Sequence, residues 1–294
     1  MSTIGIMKEP RPAKTIQFHV NHSLLAGVAV LSILLVILYY KTLVPLVQDW
    51  IDLPDFSHGF LVPLISLYLL WERRERLKRP FSASNWGLLL LAFGLIILLF
   101  GRLAAEVFTQ RLSILIVIAG IVLFLLGKEH LKTIAFPLAF LLLMIPLPSI
   151  LLQKITFPMQ LFASRCAAGA LELLSIPVFR EGNVINLANT SLEVAEACSG
   201  IRSVISLLAL GVLFAYFTKK ILWQRIVVVF ASLPIAILVN AFRVTMTGYL
   251  SHFYGAKAAQ GFFHEFSGFI LFLMAMALFY ALTLFLSWLT PAQK

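Results

Sequence analysis

The sequence predicts an all-α, polytopic integral membrane protein with about eight transmembrane helices. Of the 294 residues, 61% are hydrophobic and 12% are charged, whereas a soluble domain carries about 25% charged residues. The apolar residues fall into runs long enough to cross a bilayer, separated by short polar segments. Basic loops that stay on the cytoplasmic side explain the net charge of +10. We therefore expect membrane lipid, and no nucleic acid, as a partner.

The predicted elements follow one another within a single domain, residues 1–294. A polar tail with three basic residues, residues 1–20, precedes the first span. Residues 41–58, between the first two spans, are expected to form a loop. The predicted spans are the apolar runs at residues 23–40, 59–71, 86–101, 112–126, 133–151, 199–217, 226–250 and 266–288.

Residues 152–178 are apolar but are interrupted by Pro158, Arg165 and Glu172, so charge must decide whether they cross the membrane. If they do not cross, both termini lie inside and 14 of the 23 Lys and Arg residues are cytoplasmic. If they do cross, the three basic residues after the sixth span move outside, against the positive-inside tendency. We therefore predict a re-entrant or interfacial helix on the outer side.

The polar stretch at residues 180–198 separates this helix from the sixth span. Residues 184–187 and 192–194 resemble short strands around a turn that contains Asn189, which is typical of a β-hairpin. The charge distribution places this hairpin loop on the outer side, directly before the most reactive segment of the chain.

That segment, residues 195–203, reads Ala-Glu-Ala-Cys-Ser-Gly-Ile-Arg-Ser. Cys198 is predicted near the N-terminus of the sixth span, at its outer end, where the helix macrodipole favours a thiolate. Ser199 is placed to cap the helix, Gly200 leaves room for a peptide backbone, and free N–H groups can stabilise an oxyanion. The alternative interpretation is that Cys198 is a small apolar helix residue.

The other cysteine, Cys166, has small neighbours that predict a packing role on a helix face. A disulfide with Cys198 would require both residues to face an oxidising compartment. The absence of C-x-x-C and of zinc-like spacing predicts no metal site.

Arg243 lies toward the outer end of the seventh span. A charged side chain within a membrane helix costs about 3 kcal/mol or more unless it is paired or hydrated, so it indicates a functional site. Asn240, Arg243 and Thr247 are three and four residues apart and share one helix face. The alternative is an arginine that extends to the outer headgroups.

His264 lies at the outer entry to the eighth span and can act as an acid or base near neutral pH. The alternative is an interfacial histidine among aromatic residues, and His252 in the same outer loop is the competing candidate. Three nearby carboxylates are expected to be solvated loop groups: Glu193, Glu196 and Glu265.

Three candidates therefore reach one membrane face from consecutive spans, and a cysteine, a cation and a histidine suit acyl transfer. Cys198 would attack a peptide carbonyl, and Arg243 would stabilise the oxyanion or orient the substrate. His264 would protonate the leaving amine and later activate the acceptor.

At these positions the sequence resembles the exosortase/archaeosortase family of membrane transpeptidases, and its bacterial exosortase branch in particular. The similarity lies in residues 196–203, 240–244, His264 with Gly268, 56–63 and 71–74. The resemblance implies that Cys198, Arg243 and His264 are catalytic. The residues expected to bind substrate or support the site are Ser199, Gly200, Arg202, Asn240 and His58.

The resemblance also implies a multi-pass protein of the bacterial inner membrane, with both termini cytoplasmic and the active site facing the periplasm. Its substrates would be exported proteins with a C-terminal sorting signal: a Pro-Glu-Pro-like (PEP-CTERM) motif, a membrane helix and a basic tail. Cleavage would pass through a cysteine thioester, without a cofactor, and the product would be transferred or released, often alongside exopolysaccharide production.

A different class of function is a polytopic transporter or a non-catalytic assembly factor for exopolysaccharide export. In that case Arg243 and Asn240 bind an anionic substrate, and Cys198 is incidental.

Overall fold

The chain divides into two units, Met1–Lys41 and Thr42–Lys294. In the first unit the described residues form the N-terminal part of one long helix. All contacts discussed below lie within the second unit. The computed structural model describes residues 22–188, 190–194, 200–218, 221–255 and 262–289.

The described part of the chain is mainly α-helical, as predicted. Two segments, Pro54–Phe60 and Leu141–Met144, are 3₁₀ helices. The strands β1 (Val178–Glu181), β2 (Val184–Leu187) and β3 (Thr190–Glu193) form a small antiparallel sheet. The α-helices are α1 (His22–Asp52), α2 (Leu61–Glu72), α3 (Arg74–Leu77), α4 (Trp86–Leu103), α5 (Val107–Leu125), α6 (Lys128–Phe140), α7 (Ser149–Leu173), α8 (Gly200–Thr218), α9 (Leu222–Tyr254) and α10 (Phe262–Leu289).

Among the described residues, five helices are long and apolar enough to cross a membrane, and the number is six if the bent pair formed by α6 and α7 is counted as one span. This confirms the prediction of a polytopic all-α membrane protein. The other two of the eight predicted spans are short. Helix α2 has 12 residues, about 18 Å of helix against a hydrocarbon layer of about 30 Å, and the apolar part of α8 is Ile205–Thr218.

The loop predicted at residues 41–58 is wrong, because α1 continues through Asp52. Leu46 and Trp50 are four residues apart, lie on one helix face and are both buried. Because these buried residues recur at helical spacing, α1 continues through the polar residues that were expected to form a loop. Only after Asp52 does Pro54 begin a separate 3₁₀ helix.

Helices α6 and α7 meet at an angle of 83°, at a break that contains Pro146 and Pro148. Proline lacks a backbone N–H, so it ends one helix, and it is well tolerated directly before the first turn of the next. Helix α7, from Ser149 to Leu173, covers most of residues 152–178, which were expected to form a re-entrant or interfacial helix. That it does not cross the membrane and that it lies on the outer side stay predictions.

The hairpin predicted within residues 180–198 is formed by β2 and β3, and β1 is an additional strand that the sequence did not reveal. The two-residue turn between β1 and β2 places Gly182 at φ +61°, which suits a glycine at the first position of such a turn. Ile185 and Leu187 point to one face of the sheet and pack against α7 and α9. The sheet is thereby fixed to the helices that carry the candidate site.

Helices α8, α9 and α10 form an antiparallel bundle. At its middle, a side chain added at Gly211 of α8 would meet Ser232 of α9 and Phe279 of α10, each at 3.2 Å. At one end, Gln224 near the start of α9 donates from Nε2 to the Leu286 carbonyl near the end of α10, at 3.3 Å. The starts of α8 and α10 therefore lie at the same end of the bundle as the C-terminal part of α9.

Helices α4 and α5 approach each other closely at glycine positions. A Cβ atom at Gly120 would lie 2.6 Å from the Leu91 backbone nitrogen, and one at Gly87 would lie 2.1 Å from that of Phe124. Small residues allow this close helix approach in membranes, where dispersion contacts hold helices together.

Substitution of Gly120 by alanine is therefore expected to lower the free energy of unfolding by about 1–3 kcal/mol, because the backbone of the facing helix must move. Gly169 is the matched control: it lies in α7, with nothing within 4 Å of an added Cβ. Gly169→Ala is expected to be neutral or stabilising by up to about 1 kcal/mol. Thermal unfolding in detergent measures both, and equal losses in the two variants would contradict the proposed helix contact.

Candidate active site

Helix α9 carries a polar stripe near its C-terminal end. Asn240, Arg243, Thr247 and Ser251 follow one another at intervals of three and four residues, so they lie on one helix face. Arg243 is 8% exposed and Ser251 is 1% exposed, while Asn240 and Thr247 are half-buried. The face predicted from the sequence is thus turned into the protein, and Ser251 extends it by one turn.

Burial argues against the alternative interpretation of Arg243 as an arginine that extends to the headgroups. Arg243 also takes part in an interaction within the protein. Trp223, which is exposed, lies twenty residues earlier on the same helix. Twenty residues span about 30 Å, the thickness of the hydrocarbon layer. If Trp223 lies at one interface, Arg243 lies near the opposite one.

The polar stripe is held by close packing against α7 and the sheet. A Cβ atom at Gly248 would lie 2.9 Å from Leu171 Cδ1 of α7 and 3.5 Å from Leu192 Cδ1 of β3. Val244, next to Arg243, is fully buried in one cluster with Val194, which directly follows β3. The chain segment that leads toward residue 198 is therefore anchored beside Arg243.

The start of α8, Arg243 and His264 lie at similar distances from the middle of the bundle, measured along the helix axes. The central level is defined by Gly211, Ser232 and Phe279. At 1.5 Å per residue, the start of α8 lies about 16 Å from this level and Arg243 lies about 16 Å from it. His264 lies about 22 Å from it, in the same direction. The three consecutive helices thus bring their candidate positions to one end of the bundle.

Cys198 and Ser199 lie outside the described residues. The described part of helix α8 begins at Gly200, and the position of Cys198 relative to it stays a prediction. Arg202 and His264 belong to the first turns of α8 and α10, and their side chains are also outside the described part of the structure.

The competing candidate, His252, lies in the last turn of α9 next to the buried Ser251. Its ring packs edge-on against Phe253 at 4.9 Å. Glu193 is an exposed carboxylate on β3 that accepts a 3.5 Å hydrogen bond from Asn183, as expected for a solvated group. Glu196 and Glu265 lie outside the residues whose side chains are described.

His58 lies in the 3₁₀ helix Pro54–Phe60, which contacts α8. Its Nε2 atom is 3.1 Å from the Leu143 carbonyl, and its Nδ1 atom is buried without a hydrogen bond to any described residue. Burial lowers the pKa of His58, and the backbone groups of Leu143 and Asp55 raise it by less. The imidazole is therefore neutral at pH 7 and ties the 3₁₀ helix to the break between α6 and α7.

A partly buried ion pair was not predicted from the sequence. Arg111 Nη2 of α5 lies 2.6 Å from Asp49 Oδ2 of α1, with the Arg111 side chain only 4% exposed. Trp50 donates from Nε1 to the Met144 carbonyl at 2.9 Å in the same region. Asp49 was assigned to a loop and Arg111 to a connection, so nothing in the sequence paired them.

The predicted packing role of Cys166 is wrong, because its side chain is exposed on α7. Its neighbours Ala163 and Ala167 form the packed face instead. Among the described residues, no group of three or more His, Cys, Asp or Glu side chains is placed to hold a metal ion.

The arrangement at this end of the bundle is suited to binding negative charge. The first N–H groups of a helix have no partner within that helix. Helices α8 and α10 both begin at this end of the bundle, and the buried Arg243 lies on the helix between them in the chain. Such donors can bind a carboxylate or stabilise an oxyanion that develops during a reaction.

The fold and site therefore define a polytopic membrane protein with a buried cation at the same end of a helical bundle as two helix N-termini. The family model described as transmembrane exosortase matches residues 50–281. The chain belongs to the transmembrane exosortase family, a generally cysteine peptidase-like family, which confirms the resemblance seen in the sequence. No curated protein and no solved structure matches it.

Proposed function

We propose that this protein is a membrane-embedded cysteine transpeptidase or protease that cleaves C-terminal sorting signals of exported proteins. The observation that carries the proposal is the convergence of three consecutive helices: the start of α8, the buried Arg243 of α9 and the start of α10 lie at one end of the bundle. Membership of the exosortase family supports the same assignment.

In the proposed mechanism, the Cys198 thiolate attacks the scissile carbonyl carbon and the carbonyl oxygen becomes an oxyanion. Arg243 and the N–H groups at the start of α8 stabilise that oxyanion. His264 gives a proton to the leaving amine as the C–N bond breaks, which leaves a thioester on Cys198. An acceptor amine, hydroxyl or water then loses a proton to His264, attacks the thioester and releases the thiolate.

The proposed substrate carries a Pro-Glu-Pro-like motif, a membrane helix and a basic tail. The acidic residue of such a motif suits a site that offers a buried guanidinium and helix N-termini. Asn240 and His58 are proposed as supporting residues, as are Ser199, Gly200 and Arg202 in the segment around the nucleophile.

The proposed site faces the periplasm of the inner membrane, and both termini are cytoplasmic. Four exposed tryptophans mark a membrane interface at the end of the protein opposite Arg243, because tryptophan is enriched at both membrane–water interfaces. The basic residues that follow α2 lie at that end as well, as the positive-inside tendency requires for a cytoplasmic face. The four residues are Trp71, Trp86, Trp223 and Trp288.

Reporter fusions test this orientation. A reporter that is active only in the periplasm is expected to be active when fused after Gly255, which follows α9, and silent when fused after residue 220, which precedes it. The opposite pattern would overturn the topology and with it the shared periplasmic face.

Thiol labelling tests whether residue 198 is an activated nucleophile. The chain has two cysteines, so Cys166→Ser leaves Cys198 as the sole thiol and Cys198→Ser leaves Cys166. At pH 7, a membrane-impermeant alkylating reagent is expected to label Cys198 about tenfold faster than Cys166, because a helix N-terminus favours the reactive thiolate. Slower labelling of Cys198 would argue against the proposed nucleophile.

A further inference from the structure

A second charged site lies at the opposite end of the protein from Arg243, where α2, α6 and α8 meet. It surrounds a cavity of about 180 Å³. The cavity is lined by Glu72, Arg73, Glu75, Arg76 and Tyr216. It shares no residue with the proposed catalytic site, and the inference drawn from it is independent of the proposed function.

Arg73 is held rigidly at this cavity. Its Nε and Nη2 atoms donate to the Tyr216 hydroxyl at 3.0 and 2.7 Å, and Nη1 donates to the Thr133 carbonyl at 2.6 Å. The guanidinium also lies over the rings of Phe136 and Tyr216, which stack at 4.3 Å. A guanidinium fixed by distant segments is already positioned for a ligand and loses little entropy on binding.

The hydrogen-bonding groups of Arg73 and Tyr216 are only partly used. A guanidinium has five N–H donors, and three of those on Arg73 are engaged. The Tyr216 oxygen accepts two hydrogen bonds, so its own proton is available to an acceptor and has none among the described residues. Arg76 makes no side-chain hydrogen bond or ion pair with any described residue. The cavity therefore presents donors suited to a phosphate group.

The two carboxylates at the cavity differ in their partners. Both Glu75 oxygens accept from Lys78 Nζ at 2.8 Å, and these contacts lower the pKa of Glu75. Glu72 has no such partner within the described part of the chain. The cavity thus combines a phosphate-binding group of donors with one uncompensated negative charge.

The position of the cavity indicates where such a ligand comes from. It lies at the end of the apolar helix α2, directly after the exposed Trp71, and tryptophans of this kind mark the headgroup level of a bilayer. The neighbouring surface of α2 is apolar and exposed, with Leu64 and Leu67 each 62% exposed. Acyl chains can lie along this surface while a headgroup enters the cavity.

We propose that this cavity binds the headgroup of phosphatidylethanolamine. The phosphate accepts hydrogen bonds from Arg76, from the Tyr216 hydroxyl and from the free N–H groups of Arg73. The primary ammonium pairs with Glu72. A choline headgroup carries the same phosphate but has no N–H to donate, and a glycerol headgroup has no cation.

Native mass spectrometry of the detergent-purified full chain, titrated with single lipids, tests the proposal. Phosphatidylethanolamine is expected to be retained about tenfold better than phosphatidylcholine, the difference that one charge-assisted hydrogen bond makes. Arg76→Gln is expected to weaken retention of both lipids about tenfold. Glu72→Gln is expected to remove the preference between them. Arg79→Gln is the control, because Arg79 is exposed directly after α3 and pairs with Glu129 outside the cavity.

Three results would overturn the proposal. If both lipids are retained equally, or if the Arg76→Gln variant retains lipid as well as the unsubstituted protein does, the cavity is not a headgroup site. If phosphatidylglycerol is retained better than phosphatidylethanolamine, Glu72 does not select a headgroup ammonium. Binding of inorganic phosphate that depends on Arg76, with no lipid retained, would assign the cavity to free phosphate. The substituted residues are exposed, and thermal unfolding checks that each variant is folded.

Discussion

Substitution of Cys198 by alanine is expected to abolish processing of a sorting-signal substrate, by about three orders of magnitude or more. The physical reason is that no thioester can form without the thiol, and catalysis by the remaining groups is small once the nucleophile is lost. The measurement is the conversion of a tagged precursor to its mature form in cells that express the variant at a normal level. Cys198→Ser is expected to retain little activity, because a hydroxyl is rarely ionised at neutral pH.

Cys166→Ser is the matched control for this experiment. Cys166 is exposed on α7 and takes no part in the proposed mechanism, so its loss is expected to leave processing within about twofold of normal, as for most surface substitutions. Processing that continues in Cys198→Ala would contradict a cysteine mechanism. It would also favour the alternative of a transporter or assembly factor, in which Cys198 is incidental.

Substitution of Arg243 by methionine is expected to lower the rate of processing by about 10²–10³, the effect of losing one oxyanion-stabilising group. Methionine fills a similar volume without the charge, so the packing of α9 against α7 and the sheet is preserved. Arg243→Lys is expected to recover only part of the rate, because an ammonium cannot form the two parallel hydrogen bonds of a guanidinium. Single-turnover processing by purified protein in detergent measures these rates.

Thr247→Val provides the control on the same helix face. Thr247 lies one turn from Arg243 and is half-buried, so any general disturbance of the polar stripe affects both variants. It is expected to change the rate less than fivefold, since a side chain outside the reacting atoms contributes little. If Thr247→Val and Arg243→Met reduced the rate equally, Arg243 would be a structural residue and not a catalytic one.

The helical spans and the polar stripe of α9 were predictable because both depend on neighbours in the sequence. Residues three and four apart share a helix face whatever the tertiary structure, which is how Asn240 and Arg243 were grouped. The prolines at 146 and 148 are a local signal for the helix break, which lies inside the span predicted at residues 133–151. Strand β1 was missed because its first residues continue an apolar run that also fits a helix end.

Features that depend on distant segments were not predictable. The Asp49–Arg111 ion pair joins α1 to α5, and Arg73 and Tyr216 are 143 positions apart in the chain. No periodicity or spacing links such residues. The same limitation concealed the unused hydrogen-bond donors of the headgroup cavity, because they become apparent only when every partner of Arg73 and Tyr216 is known.

The most direct test of the proposed function is to trap the acyl-enzyme. The Cys166→Ser protein, which retains Cys198 as its single thiol, is mixed with a peptide that contains the Pro-Glu-Pro motif, quenched in acid and digested for mass spectrometry. The expected result is an adduct of the N-terminal cleavage product on the Cys198 peptide that hydroxylamine removes, as a thioester requires. Cleavage that proceeds with no adduct on Cys198, and that persists in Cys198→Ala, would contradict the mechanism.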